Sequence, residues 1–416
     1  MPDRQHPAPA MRPLTEPLPD AEVIVVGAGP AGSAIAALLA EAGHDVLLLD
    51  KARFPRHKPC SDYVNPAAVG LLEAWGLGEA GRDAGARSIS RMLVHAPQGQ
   101  PFAVDFARTS GQYAMGFSRF RLDELLVRRA VALGATLVEG AHVRDVIRDR
   151  DRVHGVEATI GGTREQLRAR LVIGADGRHS LLARTIGTSG ARRWPRRTGL
   201  VAHYRGVSGL TDHGELHVTS TGYAGLAPLE DGLTNVALVL PANTVRASDA
   251  PVERLFEDGL RAIPALAERL KGAERVGSIR GVGPMAHRVR RIAGDGYLLL
   301  GDAAGFLDPF TGDGISEALR SAQLAAPIVS AALSEREITT ASLAPYVSIR
   351  RRTFATKRGV CWVVQGFIDR PSLLRYATDR LNRRDSLALT LSAVLGDLRP
   401  AGAALSPWFL ARLLWP

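Results

Sequence analysis

Cysteine is almost missing: the 416 residues hold two, Cys60 and Cys361, far apart in the chain. A disulfide framework is thereby excluded, and a chain this long buries enough apolar area to fold without one. Such usage points to a reduced, cytoplasmic protein. Lysine is scarce as well. Only Lys51, Lys58, Lys271 and Lys357 count among the 52 basic side chains, and the rest are arginine. The net charge of +10 therefore reflects an arginine-rich composition, and no nucleic-acid partner is expected. That charge is unevenly spread: residues 341–416 carry twelve basic and four acidic side chains. No uninterrupted apolar run is long enough for a membrane span. Val23–Ala40 is uncharged, but Gly27, Gly29, Pro30 and Gly32 break it, so a strand, a turn and a helix fit better. Histidine and cysteine do not recur at metal-ligand spacing, and no metal is expected. No Ser-His-Asp set can be read, and His57, His203 and His287 read as surface or satisfied core residues. The first twenty residues hold six prolines and no secretory signal, and are expected to form a disordered tail.

What is present begins with a short β-branched strand, Glu22–Val26, a helix over 31–42 stopped by Gly43, and a second strand, Val46–Leu49, ending in Asp50. Strand, helix and strand within about thirty residues imply a parallel βαβ unit. The turn reads Gly27-Ala28-Gly29-Pro30-Ala31-Gly32. Gly27 permits a tight bend, Gly29 lets a diphosphate approach the backbone, and Gly32 packs the helix on the sheet. Pro30 suits the first helical turn, where no N–H is needed. The helix N-terminus then offers N–H groups and a partial positive charge to phosphate, and Asp50 is placed for a ribose. The fingerprint fits NAD as well as FAD. Farther on, an amphipathic helix is expected over 119–133, strands over 136–157, a strand at 171–173, and another at 297–300 leading into a helix over 314–332. Between them, 194–290 reads as alternating strands around a helix, 252–270. The fold class expected is α/β: a Rossmann-like domain of 21–193 plus 291–340, an inserted sheet-rich domain of 194–290, and a helical C-terminal region of 341–416.

Two further segments resemble a known family. Gly174-Ala175-Asp176-Gly177 within 171–184 is similar to the Asp-Gly motif of class A flavoprotein monooxygenases (the p-hydroxybenzoate hydroxylase-like fold) and their relatives. Gly301-Asp302 within 300–309 resembles their Gly-Asp motif. The resemblance implies FAD, with Asp302 on the ribityl chain, Asp176 and Gly177 near both FAD and reduced nicotinamide, and Pro309 beside the flavin ring. Gly312-Asp313-Gly314-Ile315 opens a helix whose N–H groups would stabilise negative charge on a reduced flavin. Arg119, in Arg-Phe-Arg-Leu-Asp, resembles the arginine that reaches the FAD diphosphate, with Arg121 as the alternative in a shifted register; Lys51, beside Asp50, joins the expected cofactor set. Lys58-Pro59-Cys60 resembles the Lys-x-Cys-Gly-Gly segment of geranylgeranyl reductases, although Ser61-Asp62 replaces the glycines, and Lys58 and Arg56 are placed to lower a thiol pKa. Tyr223–Pro228 falls where those reductases carry Tyr-x-Trp-x-Phe-Pro, with Gly225 and Ala227 in place of the aromatics. Cys60, Tyr223 and Pro309 are accordingly the expected catalytic set. The signature of flavin halogenases is missing. Gly281-Val-Gly283 does not open a second nucleotide fold, so NAD(P)H is expected to bind transiently.

These motifs imply an FAD-dependent oxidoreductase that takes reducing equivalents from NAD(P)H and reduces a C=C bond of a small apolar, prenyl or polyketide-like substrate. A monooxygenase acting on an aromatic or polyketide substrate shares the same first half-reaction. A non-enzymatic protein similar to the escort proteins of prenylated GTPases would keep the fold without using flavin. The C-terminal stretch from Pro407, mixing arginine with tryptophan and leucine, reads as a helical cap over the active site or as a peripheral membrane contact.

Overall fold

A computed structural model describes residues 20–415. The expected tail, Asp20 apart, lies outside them. Two sheets carry the architecture. The first has the parallel order Tyr297–Leu299, Thr163–Gly174, Ala21–Val26, Val46–Asp50, Thr136–Glu139, with the antiparallel Ala293–Gly294 at one edge. Its central strands are valine-, isoleucine- and leucine-rich and buried on both faces, as parallel strands covered by helices must be. On one face the Pro30–Glu41 helix packs through Ala31, Ala34 and Ile35 into the core shared with Ala318, Ala322 and Ala325 of the Gly314–Leu333 helix. Small residues on both helices let the backbones approach and leave the glycine turn at the sheet's carboxyl edge. On the other face the hairpin His142–Asp149 and Arg152–Ile160 closes the second core cluster.

The second sheet has seven strands, in the order Glu274–Val282, Arg197–Arg205, Leu233–Pro241, Tyr223–Pro228, His213–Val218, Arg91–His95, Phe102–Asp105. Its last two strands come from a stretch expected in the Rossmann half. They are short, five and four residues, and Arg91–His95 buries only Val94 fully, so no strand signal was legible there; Arg91–His95 pairs parallel to His213–Val218. The single helix expected over 252–270 is two, Val252–Arg261 and Pro264–Arg269. Pro264 has no N–H to continue the ladder and restarts the helix as its first residue. From Thr340 onward the chain is helical: Thr340–Ile368, Pro371–Arg383, Asp385–Leu395, Gly402–Leu405 and Pro407–Leu414. These helices bury Val360, Leu381, Leu387, Phe409 and Leu413 against Val94, Val104 and Phe106 of the second sheet's outer strands. No helix among the described residues is long and apolar enough to cross a membrane.

Candidate functional site: a dinucleotide cradle and an apolar chamber

The glycine turn is locked by backbone contacts. Gly27 has φ +96°, and a Cβ there would stand 2.6 Å from the Ala175 oxygen; one on Gly32 would stand 1.8 Å from the Gly27 oxygen. Turn, helix and the Gly174–Gly177 segment therefore touch main chain to main chain. Gly29 differs. A Cβ there would meet only Arg119 Nη2 at 3.7 Å and Arg56 Nη2 at 3.8 Å. Asp50 supports the turn by accepting the Ala28 N–H at 2.8 Å and the Ala52 N–H at 2.9 Å. Lys51, next to it, is exposed.

The two guanidiniums are aimed by one buried acid that the motif reading left unassigned. Asp123, inaccessible to solvent, takes Arg119 Nε at 2.6 Å and Nη2 at 2.8 Å, four residues apart on the Arg119–Ala132 helix, and Arg56 Nη1 at 2.8 Å. Arg121 turns away, to the Ala84 carbonyl and Asp231. Lys58 enters the same cleft, its amine 3.9 Å from a Cβ position on Gly177; desolvation and then the cations Arg119, Arg56 and Lys51 lower its pKa.

Asp176 Oδ2 accepts the Leu181 N–H at 2.6 Å, whereas its Oδ1 is buried without a partner. Burial raises the Asp176 pKa. Asp302 accepts no hydrogen bond on its carboxylate among the described residues; burial, then Glu317, push its pKa up to about 6 against the pull of Arg119, Lys58 and Arg178. Its carbonyl is held by His287 Nε2 at 2.8 Å, and burial lowers the His287 pKa against the pull of the Met285 and Asp302 carbonyls. Gly301 (φ +54°) packs on Ala31 and Ala318. The empty position at Gly29 under two guanidiniums, the orphaned Asp176 oxygen and the free Asp302 carboxylate fit the diphosphate and ribityl hydroxyls of FAD.

The 308–315 loop is held from both ends. Asp308 accepts Tyr223 Oη at 2.7 Å and the Phe310 N–H at 3.0 Å, and Arg197 Nη1 lies 3.3 Å away. Past Gly312 (φ +70°), Lys357 Nζ bridges Asp313 at 3.1 Å and Asp397 at 2.7 Å and donates to the Val394 carbonyl at 2.7 Å. Burial and the neighbouring Asp397 push the Asp313 carboxyl up, with Lys357 pulling the other way. Gly314 and Ile315 open the helix, with Ile315 in the core. Pro309 and Phe310 to Gly312 form one wall of an apolar cavity of about 70 Å³, whose other walls include Met92, Val94, Phe106, Leu216, Gly225 and Ala227.

Cys60 and Tyr223 differ in chemistry from what the motifs suggest. Burial raises the Cys60 pKa, with Arg119 pulling it down; the cation acting on the thiol is Arg119, where the sequence pointed to Lys58 and Arg56. The Tyr223 hydroxyl is committed to Asp308, with Phe310 edge-on to its ring at 5.0 Å. Burial drives its pKa well up, so Tyr223 is placed as a positioning residue for the Pro309 loop. The residue that fixes Cys60 is Asp62, buried and at φ +52°. Its carboxylate accepts the Arg119 N–H at 3.0 Å and Asn235 Nδ2 at 2.7 Å, and meets His203 Nε2 at 2.7 Å; Asn235 also donates to the Cys60 carbonyl at 2.9 Å. Only the replacement of a glycine by aspartate signalled it in the sequence.

A cluster invisible at sequence spacing lies on the second sheet. His95, Glu215 and His217 bring ligand-type atoms within 4.8 Å of one another. Yet the His95 and His217 rings stack 4.2 Å apart and 7° from parallel, so their in-plane lone pairs do not converge. Glu215 is already held by His217 at 2.9 Å and Arg269 at 2.5 Å, and its pKa falls to about 2 despite burial. The geometry is that of a buried ion network.

Residues 20–357 match the FAD binding domain family, a span that includes the second sheet, where the motifs were thinnest. The chain is 34% identical over 338 residues to digeranylgeranylglycerophospholipid reductase 2 of Methanopyrus kandleri, covering 78% of this chain and 81% of that protein. It is 34% identical over 328 residues to the menaquinone reductase of Mycobacterium tuberculosis, covering 74% and 76%. A geranylgeranyl bacteriochlorophyll reductase-like protein from Thermoplasma acidophilum shares the fold, with a TM-score of 0.78 at 21% identity over 91% of this chain and 98% of that one. With enzymes as relatives and the flavin cradle intact, the escort-type reading falls away. The chain belongs to the FAD-binding family of class A flavoproteins and is an FAD-dependent oxidoreductase.

Proposed function

We propose that the protein uses NAD(P)H to reduce a carbon–carbon double bond in an apolar, prenyl-bearing substrate. One observation carries the substrate class: the cavity beside Pro309 is walled mainly by aliphatic and aromatic side chains, with Ser61, Glu215, Asn235 and Thr311 as its polar members, and Gly225 and Ala227 add little bulk to it. Bound FAD supplies hydride chemistry, accepting from a nicotinamide and delivering to carbon. Arg119 and Arg56, aligned by Asp123, hold the diphosphate; Asp176 and Asp302 take the sugar and ribityl hydroxyls. The N–H groups at Gly314 and Ile315 face developing negative charge, and Lys357 fixes the residue before them. Tyr223 and Arg197 hold Asp308 so that Pro309 keeps its wall in place. Reducing an alkene also needs a proton. Ser61, Tyr63 and Thr311 are the hydroxyl-bearing residues in the cavity lining, and burial with Asp313 and Asp397 keeps Tyr63 protonated. Cys60, whose carbonyl accepts from Asn235 beside Asp62, shapes the same region.

An apolar substrate of this class resides in a membrane, and a peripheral contact follows for the enzyme. Trp408, Leu414 and Trp415 are 55%, 49% and 76% exposed, and Tyr376 joins them by bonding the Leu414 carbonyl. Arg383, Arg384 and Arg412 in the same helical region have no carboxylate within 4.0 Å among the described residues. Aromatic side chains with unpaired arginines suit an anionic bilayer surface. The buried side of the same helix, Phe409 and Leu413, belongs to the cluster containing Val94 and Phe106 of the cavity wall.

The deciding experiment is turnover of a prenylated substrate by the yellow protein with NADPH, with and without oxygen. Reduction under anaerobic conditions is expected. Turnover only with oxygen would replace this reading with a monooxygenase.

A further inference from the structure

A second cavity, of about 640 Å³, borders Gly305 to Asp308, Thr311, Asp313 and Gly314, the loop that carries the flavin-facing residues. Six cations line it: Arg192, Arg288, Arg320, Lys357, Arg358 and Arg399. Its four carboxylates are already engaged. Asp308 is held by Tyr223 and Arg197, Asp313 and Asp397 by Lys357, and Glu317 by Arg350 at 2.6 Å and Arg358 at 2.8 Å. Arg192, Arg288, Arg320 and Arg399 have no carboxylate within 4.0 Å among the described residues. Arg192 sits over the Trp362 ring at 5.4 Å, and Trp362 stacks on Trp194 at 5.1 Å. Desolvation, then Arg358 and Arg288, lower the Arg192 pKa, which is the electrostatic mark of like charges crowded around one space.

We propose that this cavity binds a phosphate- or diphosphate-bearing ligand through Arg192 and Arg288, with Arg192 held in place over the Trp362 ring. Guanidiniums without carboxylate partners match such groups bidentately. The cavity borders the Asp308–Gly314 loop, so a reduced nicotinamide dinucleotide docked there by its diphosphate would lie against the loop whose residues the motifs assign to the flavin. A phospholipid headgroup presents the same chemistry. Assigning the nicotinamide as occupant rests on the reductase reading above; the anion site itself does not.

The test uses the FAD-loaded protein, in which the first diphosphate cradle is filled. Inorganic pyrophosphate is titrated calorimetrically into wild type and R192Q/R288Q; Arg288 is exposed and Arg192 half-buried, so the fold is expected to persist, and retained flavin absorbance checks it. The dissociation constant should rise at least tenfold in the double variant. An unchanged constant, or no pyrophosphate binding by wild type, overturns the site. R399Q provides an independent exposed variant expected to weaken binding in the same direction. Anaerobic flavin reduction then assigns the source. A KM for NADPH that rises by a similar factor at an unchanged limiting rate identifies the reductant. An unchanged NADPH KM, with loss of pyrophosphate competition against phosphatidylglycerol vesicles, identifies a headgroup and overturns the nicotinamide assignment. A wild type that binds pyrophosphate but is never reduced by NADPH would sink the reductase reading and leave the anion site standing.

Discussion

Gly29→Ala separates what the glycine turn does for the fold from what it does for the cofactor. At φ −77° and ψ −173° an alanine is unstrained, and the added Cβ would find no protein atom nearer than 3.7 Å. Replacing glycine where alanine fits stabilises by about 0.4–1 kcal/mol through the unfolded chain, and the N-cap preference for glycine offsets this by a similar amount. The flavin-free protein should therefore melt with a stability within about 1 kcal/mol of wild type. The same methyl stands where a diphosphate must approach the helix N-terminus under Arg119 and Arg56. Loss of one charge-assisted hydrogen bond costs about 1.5–3 kcal/mol, roughly a tenfold to hundredfold weaker FAD constant. The control is Gly32→Ala, whose Cβ would lie 1.8 Å from the Gly27 oxygen. Helix or turn must move by more than an ångström, and both stability and FAD should be lost. Titration of FAD into deflavinated protein by flavin fluorescence, paired with thermal melts, reads both quantities. Gly29→Ala binding FAD as tightly as wild type would refute the cradle; a melt as depressed as that of Gly32→Ala would refute the claim that the space is open.

Removing Asp123 leaves two guanidiniums without their buried partner, so Asp123→Ala should destabilise by about 3–5 kcal/mol in denaturant melts and purify colourless. Asp302 has its folded pKa raised from 3.8 to about 6, so the flavin-free protein should lose stability as pH rises from about 4 to 6; Asp302→Asn should flatten that slope, with an upper bound of about 3 kcal/mol, while weakening FAD. Gly225→Trp should obstruct the cavity, since an indole on this wall projects into it and only Leu216, 3.3 Å from the new Cβ, must give. Anaerobic flavin reduction by NADPH should then stay within about twofold while prenyl-substrate turnover disappears. The double variant W408A/W415A should lower cosedimentation with anionic vesicles at least roughly tenfold, with neutral vesicles bound weakly by either protein.

The nucleotide half was legible because each element there answers to a local rule. A strand buried on both faces reads as an apolar run, the turn needs Gly27 and Gly32 for backbone contact, and Pro30 and Gly43 mark the helix ends. The strands of the second sheet from 197 to 241 showed their alternation. The two from 91 to 105 are too short to show it, and Val94, Phe102 and Val104 bury against C-terminal helices that nothing local announces. Residues that work by orienting others were the least visible. Asp123, Arg197 and Lys357 lie in ordinary helical or strand sequence, and their roles depend on partners between four and well over a hundred residues away. The histidine and glutamate network was beyond reach for the same reason, since His95 joins His217 only through the parallel pairing of two distant strands.

Asp62 shows how this chain joins its two halves. Its backbone sits at φ +52°, which glycine adopts freely and aspartate adopts at a penalty on the order of 1 kcal/mol. The reductase-like motif has glycine in this stretch, so the substitution is unfavourable for the backbone alone. The carboxylate gains contacts to the first N–H of the Arg119 helix and to His203 and Asn235 of the second sheet. Each such bond to a charged group contributes about 1.5–3 kcal/mol when buried, enough to outweigh the conformational penalty. One side chain thus ties the helix that aims Arg119 at the diphosphate to the sheet that walls the apolar cavity, with Cys60 held between them through Asn235. The 58–62 loop is thereby fastened to both halves, and Ser61 at its end lines the same cavity as Gly225 and Ala227.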